Sequence, residues 1–254
     1  MPKSGKQHVQ SLLPRMPVLQ GFDTEPWDLR QAEVLQAIFE IAEEPAESLL
    51  PPALHPSIPP YATFSFATFP DSPVGRFALA QVRVVGRAGV RPRGYLLGAY
   101  TTTEQAAVAL RTRWGFALEQ GEITIDQRHD RITGQVRQGG DVILRLELEN
   151  PEQISGADVT FLDSLHLVRV QQDGGERPLL IQVDPEYVFH SAQRGRPRLS
   201  VFRGAAWGAD SRLQCTNPVS AVFVRCDTDL PKLRFALDPL VEGARGRVQL
   251  GTIG

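Results

Sequence analysis

Apolar and polar residues alternate along this chain at two different spacings. The stretch between Asp28 and Pro45 repeats its apolar residues at helical spacing. This pattern predicts an amphipathic helix that starts at Asp28 as N-cap and stops at Pro45. The apolar face of that helix comprises Leu35, Ile38, Phe39 and Ala42.

A second helix is predicted in the stretch "TTTEQAAVALRTR". Thr101 and Glu104 have the spacing of a capping box. Arginines near the C-terminal end of the helix interact favourably with its macrodipole. Most of the remaining sequence has strand character, with turn residues between the strands. The predicted strands are "YATFSFATF", "FALAQVRVV", "GYLLGAY", "EITIDQ", "RITGQVRQ", "DVILRLELEN", "LHLVRVQQ", "PLLIQV", "LSVFRGAAW" and "SAVFVRC".

Strands at a spacing of about ten residues predict a mainly β (α+β) fold, an antiparallel barrel or sandwich with two flanking helices. In "DVILRLELEN" the alternation places Arg145, Glu147 and Glu149 towards solvent. Residues 1–27 contain four prolines and no sustained period, which predicts an extended N-terminal arm. Residues 28–254 are predicted to form a single domain.

The composition argues against several classes of partner. A formal net charge of −2 gives no reason to expect a nucleic acid or an anionic membrane. The five histidines and two cysteines lack metal-ligand spacing, and no nucleotide-binding glycine motif occurs, so we expect no metal and no cofactor. No apolar run has the length of a signal-peptide core or a membrane helix, and we therefore expect a cytoplasmic protein.

Lysine is rare in this sequence. It occurs only at Lys3, Lys6 and Lys232, and every other basic side chain is arginine. Arginine stays protonated and does not act as an amine nucleophile. Most of the chain therefore has no side chain that could form a Schiff base. Lys232 is the alternative amine, but its position after a turn favours a surface lysine.

The stretch from Arg93 to Gly121 resembles the central segment of the acetoacetate decarboxylase family. That segment has a tyrosine-bearing strand, a helix and an aromatic-Pro-Lys-Lys turn. The matching positions are Tyr95, Tyr100, Glu104, Ala106, Arg111, Phe116 and Gly121. The stretches "SLLPPALHP" and "WGADSRLQC" are similar to two further family segments, the second to a Trp-x-Gly-x-x-Arg-Leu signature. The resemblance implies a cone-shaped antiparallel double β-barrel and a homo-oligomer.

The resemblance fails at the residues that carry the family's chemistry. In the family, one lysine forms a Schiff base with a β-keto acid, and a second lysine lowers its pKa. Aligned without gaps, this pair falls on Leu118 and Glu119, while a family carboxylate falls near Ala78 and a family arginine around Glu40. Leucine has no nucleophile, and a glutamate raises the pKa of a nearby amine. The chain is therefore expected to keep the fold and cavity of the family without its decarboxylase activity.

The candidate site consists of residues around this vacated position. Glu119 is the candidate general base if it is buried, and otherwise a solvated turn carboxylate; Arg113 is the second candidate catalytic residue. Arg111 and Arg113 either hold a substrate carboxylate or cap their helix. Arg83 points either to solvent or into the barrel. The candidate ligand-binding residues are Arg83, Tyr95, Tyr100, Arg111, Trp114, Phe116, Leu118 and Glu122.

Three functions remain open from the sequence. The first is an enzyme of specialised metabolism that works without a Schiff base. It would bind a small carbonyl or carboxylate compound in a barrel cavity and catalyse an isomerisation, dehydration or cyclisation. The second is a non-catalytic ligand-binding protein or a degenerate decarboxylase paralogue. The third is a structural subunit of an oligomer.

Overall fold

The computed structural model describes residues 3–19, 21–89, 91–172, 175–209, 213–242 and 247–249. Three α-helices occur in these ranges, α1 (Val9–Leu12), α2 (Glu43–Leu49) and α3 (Glu104–Trp114). The strands are β1 (Val18–Leu19), β2 (Trp27–Ile41), β3 (His55–Pro56), β4 (Tyr61–Phe69), β5 (Phe77–Arg87), β6 (Pro92–Thr101), β7 (Leu118–Gln120), β8 (Glu122–Arg128), β9 (Arg131–Gln138), β10 (Asp141–Ile154), β11 (Ser164–Gln172), β12 (Gly175–Val183), β13 (Tyr187–Phe202), β14 (Cys215–Leu230), β15 (Phe235–Leu237) and β16 (Arg247–Gln249). The mainly β class predicted from the sequence is confirmed.

The strands hydrogen-bond into one large, mostly antiparallel sheet. Its order is β16-β15-β12-β11-β6-β5-β4-β2-β14-β13-β10-β9-β8, with β1 beside β11, β3 beside β5 and β7 beside β6. This path of described strands has two ends, so its hydrogen bonds do not close a barrel. The sheet curls instead, since Gly134 of β9 lies against the Phe66 ring of β4, where an added Cβ would approach to 2.6 Å.

The predicted helix between Asp28 and Pro45 is wrong. Most of that stretch is β2, which lies in the middle of the sheet between β4 and β14. In the middle of this central strand, residues 34–37 are all buried, because both faces of the sheet are covered there, and the alternation that marks a strand is lost. Pro45 does not stop a helix either, because it lies in the first turn of α2.

Two apolar clusters cover the two faces of the sheet. The first cluster includes Leu35, Phe64, Val82, Tyr100 and Leu146. The second cluster includes Val34, Leu79, Leu110, Phe116 and Leu118. Leu35 and Val34 are consecutive on β2 yet belong to different clusters, which shows that each face of the sheet has its own core.

The segment predicted as an extended arm packs against the sheet. It contains α1, and β1 pairs with β11 in parallel. Val9 and Met16 belong to the first apolar cluster, and Leu19 belongs to the second. Burial of these apolar side chains stabilises the folded state. The segment therefore packs against the sheet instead of forming the extended arm that its prolines predict.

Helix α3 forms as predicted, but with a different cap. The N-cap is Thr103, whose side chain accepts a hydrogen bond from the Ala106 backbone nitrogen. Thr101 is instead the buried last residue of β6, and its hydroxyl donates to the Ala78 carbonyl. The helix ends at Gly115, whose φ of 63° is the left-handed conformation that glycine adopts without strain.

Two details of the later strands differ from the prediction. Glu147 of β10 is buried, because Arg145, Arg131 and Arg198 surround its carboxylate at 3.3 to 3.8 Å. In "LSVFRGAAW" the strand ends at Phe202, and the chain continues as a 3-10 turn over Gly204–Trp207. Positions 210–212 of the tryptophan signature lie outside the described residues.

Candidate functional site

A small cavity lies on the second-cluster face of the sheet, where alternate residues of neighbouring strands point to the same side. We call it the inner cavity; its volume is about 60 Å³. Its walls come from β2, β4 and β5 on one side and from the segments around Phe161, Ser164, Tyr187 and Asp229 on the other. Among its lining residues are Gln36, Ser65, Gln81, Arg83, Phe116, Phe161, Tyr187 and Thr228.

Two charged residues line the inner cavity: the cation is Arg83, and the anion is Asp229, whose Oδ1 accepts a hydrogen bond from the Glu186 backbone nitrogen. Arg83 is 8% exposed, so its side chain points into the protein and not to solvent, a choice that alternation along the strand does not decide. Its Nε and Nη2 donate to the Gln81 Oε1 at 3.1 and 2.6 Å, and its Nη1 donates to the Leu162 carbonyl at 3.3 Å. Among the described residues, no Asp or Glu oxygen makes an ion pair with Arg83; the nearby Asp163 lies 4.0 Å from Arg93 instead.

The environment of Arg83 is costly for a cation. Burial lowers the pKa of its guanidinium, and the proximity of Tyr187 and Asp163 only partly opposes this effect. Guanidinium nevertheless stays charged at ordinary pH. A buried charge whose bonded partners are neutral oxygens is therefore held at a free-energy cost that an anion in the cavity would relieve.

His166 lies beside this cavity. Its ring contacts the Phe116 ring at a centroid distance of 4.3 Å, and its Nδ1 lies 2.7 Å from the Trp114 carbonyl oxygen. Because a carbonyl only accepts, Nδ1 carries the proton, which leaves Nε2 as a buried acceptor without a partner among the described residues. Burial lowers the pKa of His166 to about 3, and the Arg83 charge acts in the same direction, so the ring is neutral at pH 7.

A larger and more open cavity lies near the start of β7. We call it the outer cavity; its volume is about 660 Å³. Tyr100, Arg111, Leu118 and Glu119, four of the residues predicted for the site, line it. The Tyr100 hydroxyl donates to the Ala206 carbonyl at 2.9 Å. Burial and the neighbouring Glu119 carboxylate raise the pKa of Tyr100, so its hydroxyl is a proton donor.

No group of three His, Cys, Asp or Glu side chains suited to a metal ion occurs in the described ranges. Within the same ranges, no helix is long and apolar enough to cross a membrane.

The sequence model of the acetoacetate decarboxylase (ADC) family matches residues 14–240, which is most of the chain. This chain belongs to the acetoacetate decarboxylase family. A comparison with curated proteins finds no significant match.

Solved structures with the acetoacetate decarboxylase fold agree with the family assignment. The acetoacetate decarboxylase of Legionella pneumophila subsp. pneumophila str. Philadelphia 1 superposes with a TM-score of 0.73 at 18% identity, over 85% of this chain and 88% of that one. An acetoacetate decarboxylase-like enzyme from Sphingomonas wittichii RW1 gives 0.67 at 12% identity, over 90% and 94%. The enduracididine biosynthesis enzyme MppR, complexed with the condensation product of pyruvate and imidazole 4-carboxaldehyde, gives 0.65 at 16% identity, over 86% and 96%. At such low sequence identities, the similarity to these structures shows only that this chain shares their fold.

Strand β7 carries the two positions, Leu118 and Glu119, that the sequence resemblance predicts to align with the lysine pair of the decarboxylases. Leu118 pairs with Ala99, and Glu119 pairs with Tyr100, so the two side chains lie on opposite faces. Leu118 is buried in the second cluster, where leucine offers no nucleophile. Glu119 is exposed, and its Oε2 accepts a hydrogen bond from the Gln138 amide at 2.6 Å. The buried general base considered for Glu119 is therefore not formed.

Four other predicted site residues lie outside both cavities. Arg113 stacks over the Trp27 and Trp114 rings at 5.5 and 5.0 Å and donates a hydrogen bond to the Glu25 carbonyl at 3.0 Å. The buried Trp114 donates to the Pro231 carbonyl. The Tyr95 hydroxyl donates a hydrogen bond to Gln7, and Glu122 is exposed to solvent.

The lysines of this family member all lie away from the inner cavity. Lys232 is half-exposed and pairs with Asp23 at 3.4 Å. Lys3 and Lys6 both pair with Glu47.

The sequence pattern contains a signal for part of the site that our prediction missed. Gln81 and Arg83 are polar residues two positions apart within the apolar strand "FALAQVRVV", a spacing that places both on one face. Two polar side chains on one face of a buried strand indicate a polar interior site. His166 has a weaker signal, a single polar position within "SLHLVRV".

Proposed function

We propose that this member of the acetoacetate decarboxylase family binds a small organic carboxylate with a neighbouring carbonyl group in the inner cavity, without a covalent bond. One observation carries the proposal: Arg83 is buried at the cavity wall with neutral bonded partners. A ligand carboxylate would supply the missing counter-ion and two acceptor oxygens for the planar guanidinium.

The size of the cavity supports a short ligand. One water needs roughly 10–15 Å³ of this kind of volume. The inner cavity, at about 60 Å³, therefore has room for about four to six waters. Pyruvate, a 2-oxo acid of three carbons and three oxygens, corresponds to the upper end of this range.

The relatives support the same class of ligand. The enduracididine biosynthesis enzyme MppR, which has this fold, was solved in complex with pyruvate, a 2-oxo acid. We transfer to this chain only the class, a small oxo carboxylate. The arginine that we assign to the carboxylate is argued from this chain's own cavity.

The distribution of amines supports non-covalent binding. All three lysines of the sequence lie at the surface in ion pairs, and the family's lysine position is Leu118. A carbonyl compound in the inner cavity would meet Gln81, Tyr187 and Phe116 rather than an amine. We therefore propose that the protein acts without a Schiff base.

Calorimetric titration tests the proposal. Pyruvate should bind at least tenfold more tightly than acetone, which has a similar carbonyl but no carboxylate. Arg83→Met should abolish the preference for pyruvate, while Arg87→Met, on the same strand but outside the cavity lining, should keep it. Thermal melting checks that both variants fold, because Arg83→Met leaves the Gln81 and Leu162 oxygens without their donor and removes a buried charge at the same time. Equal binding of acetone and pyruvate by the wild type would overturn the proposal.

Proton transfer is a second candidate function, and it is favoured by His166. The His166 ring packs against Phe116 of the cavity wall, and its unpartnered Nε2 is a free base at pH 7. It would take a proton from the carbon next to the carbonyl, the C–H electron pair would form the enolate, and a solvent deuteron would return to that carbon. Deuterium incorporation into the pyruvate methyl group should be faster with wild type than with His166→Gln. Equal rates would exclude His166 as the base.

A further inference from the structure

We infer that the outer cavity is a second binding site, specific for a compact dianion and independent of the proposed inner site. Five chain segments build most of its walls, and Gln138 and Arg169 complete them. The segments are residues 15–18, 97–100, 111–112, 117–119 and 205–208. Its volume of about 660 Å³ lies within the range of about 300–1,000 Å³ that is usual for small-molecule sites.

The charges of the outer cavity are one-sided. Its charged lining residues are Arg15, Arg111, Arg169 and Glu119, three cations against one anion. The whole chain, by contrast, has a net charge of −2. Positive charge is thus concentrated here against the overall balance, which raises the local concentration of anions.

The three arginines keep donors available. Arg111 uses Nη2 to hold the Leu118 carbonyl at 2.7 Å, and Arg169 uses Nη1 for an ion pair with Glu176 at 2.8 Å. Arg15 is exposed and has no hydrogen bond or ion pair with any described residue. Each guanidinium has five donor hydrogens, so most of them remain free for a ligand.

The single carboxylate of the cavity is already occupied. Glu119 Oε2 accepts from the Gln138 amide at 2.6 Å and lies 3.4 Å from the Tyr100 hydroxyl. Within the described residues, Glu119 forms no ion pair with any of the three arginines, and Arg169 is already paired with Glu176. Arg15 and Arg111 therefore contribute two positive charges that no described carboxylate pairs with, and these fit a ligand with two negative charges on oxygen, a dicarboxylate or a phosphate monoester.

Titration with inorganic phosphate and with succinate tests the inference, with acetate as the monoanion. At low salt, at least one dianion should bind ten times more tightly than acetate, and its affinity should fall as salt is added. The two dianions distinguish a phosphate site from a dicarboxylate site. If neither dianion binds more tightly than acetate, the inference is wrong.

Matched variants locate the site. Arg15→Gln and Arg111→Gln should each weaken dianion binding about tenfold, while Arg196→Gln, an exposed arginine outside the cavity, should change it less than twofold. Equal loss in all three variants would mean general charge attraction and would overturn the inference. Arg83→Met should leave phosphate binding unchanged, so failure at this site and failure of the proposed inner site are measured separately.

Discussion

Arg83 and Gln81 lie two residues apart on β5, and two nitrogens of the Arg83 guanidinium donate to the same Gln81 oxygen, at 3.1 and 2.6 Å. A neutral amide thus stands where a carboxylate would neutralise the buried charge. This arrangement orients the guanidinium but leaves its charge unpaired. It accounts for the proposed affinity of the inner cavity for a carboxylate.

Gln81→Glu should abolish binding of pyruvate in the inner cavity. The new carboxylate would pair with Arg83 and remove the attraction for a ligand anion, while stability should be unchanged or higher by about 1–3 kcal/mol. Gln81→Met is the matched control: it removes the same hydrogen bonds without adding charge, so binding should persist in a less stable protein. Calorimetry and urea unfolding measure the two effects; pyruvate binding by Gln81→Glu at wild-type affinity would contradict this explanation.

His166 should make stability depend on pH. Its pKa is about 3 in the folded protein, against about 6.5 in the unfolded chain, so the unfolded state binds the extra proton between these values. The stability that the neutral ring contributes is present above pH 6.5 and is lost as the pH falls, by about 1.4 kcal/mol per unit. Urea unfolding at pH 7 and pH 5 should show a decrease about 2 kcal/mol larger in wild type than in His166→Gln. Equal decreases would mean that His166 is not buried as described.

Gly115→Ala should destabilise the protein strongly. Gly115 has a φ of 63°, and an added Cβ would overlap the Val168 Cγ1. Gly139→Ala is the control, since Gly139 has a φ of 58° but nothing within 4 Å of an added Cβ. The control should cost about 1 kcal/mol and Gly115→Ala about 3 kcal/mol or more, as measured by urea unfolding. Similar costs for the two variants would argue against the close packing of this turn.

Tyr100→Phe should destabilise the protein by about 1 kcal/mol, because it removes a partly buried hydroxyl that donates to the Ala206 carbonyl at 2.9 Å. Tyr61→Phe removes a hydroxyl for which the described residues provide no hydrogen bond, and it should cost less than about 0.5 kcal/mol. Chemical denaturation of both variants compares them directly. A cost of Tyr100→Phe no larger than that of Tyr61→Phe would show that the Tyr100 hydroxyl contributes no stability at the outer cavity.

Borohydride reduction in the presence of pyruvate or acetoacetate should give no mass adduct on the intact chain. The lysines are paired at the surface, where Lys232 lies 3.4 Å from Asp23 and is half-exposed. An adduct mapped to Lys232 by peptide mass spectrometry would show a relocated amine nucleophile, and the non-covalent account would then fail.

Local signals predicted the elements that depend on local contacts. Helix α3 has a capping threonine, helix-forming alanines and a terminal glycine, and it was predicted with only a shift of the cap from Thr101 to Thr103. Strand β2 was mistaken for a helix because the sheet buries both of its faces, a tertiary effect that removes alternation. The apolar positions Leu35, Ile38 and Phe39 then matched helical spacing by coincidence.

The candidate site was predictable only in part. The absence of lysine at Leu118 is visible in the sequence, and the turn around Phe116 does lie next to the inner cavity. Alternation alone did not predict the orientation of Arg83, because every residue of β5 from Phe77 to Gly86 is buried; the polar pair with Gln81 was the signal that our prediction missed. Gln138, which contacts Glu119, is 19 residues further along the chain at the end of the next hairpin, and only the fold brings the two side chains together.

The most direct test is the crystal structure of the protein with pyruvate bound. The account predicts pyruvate in the inner cavity, its carboxylate within hydrogen-bond distance of the Arg83 guanidinium and its carbonyl carbon not bonded to any side chain. Pyruvate bound only by the arginines of the outer cavity, or attached covalently to a lysine, would contradict the account.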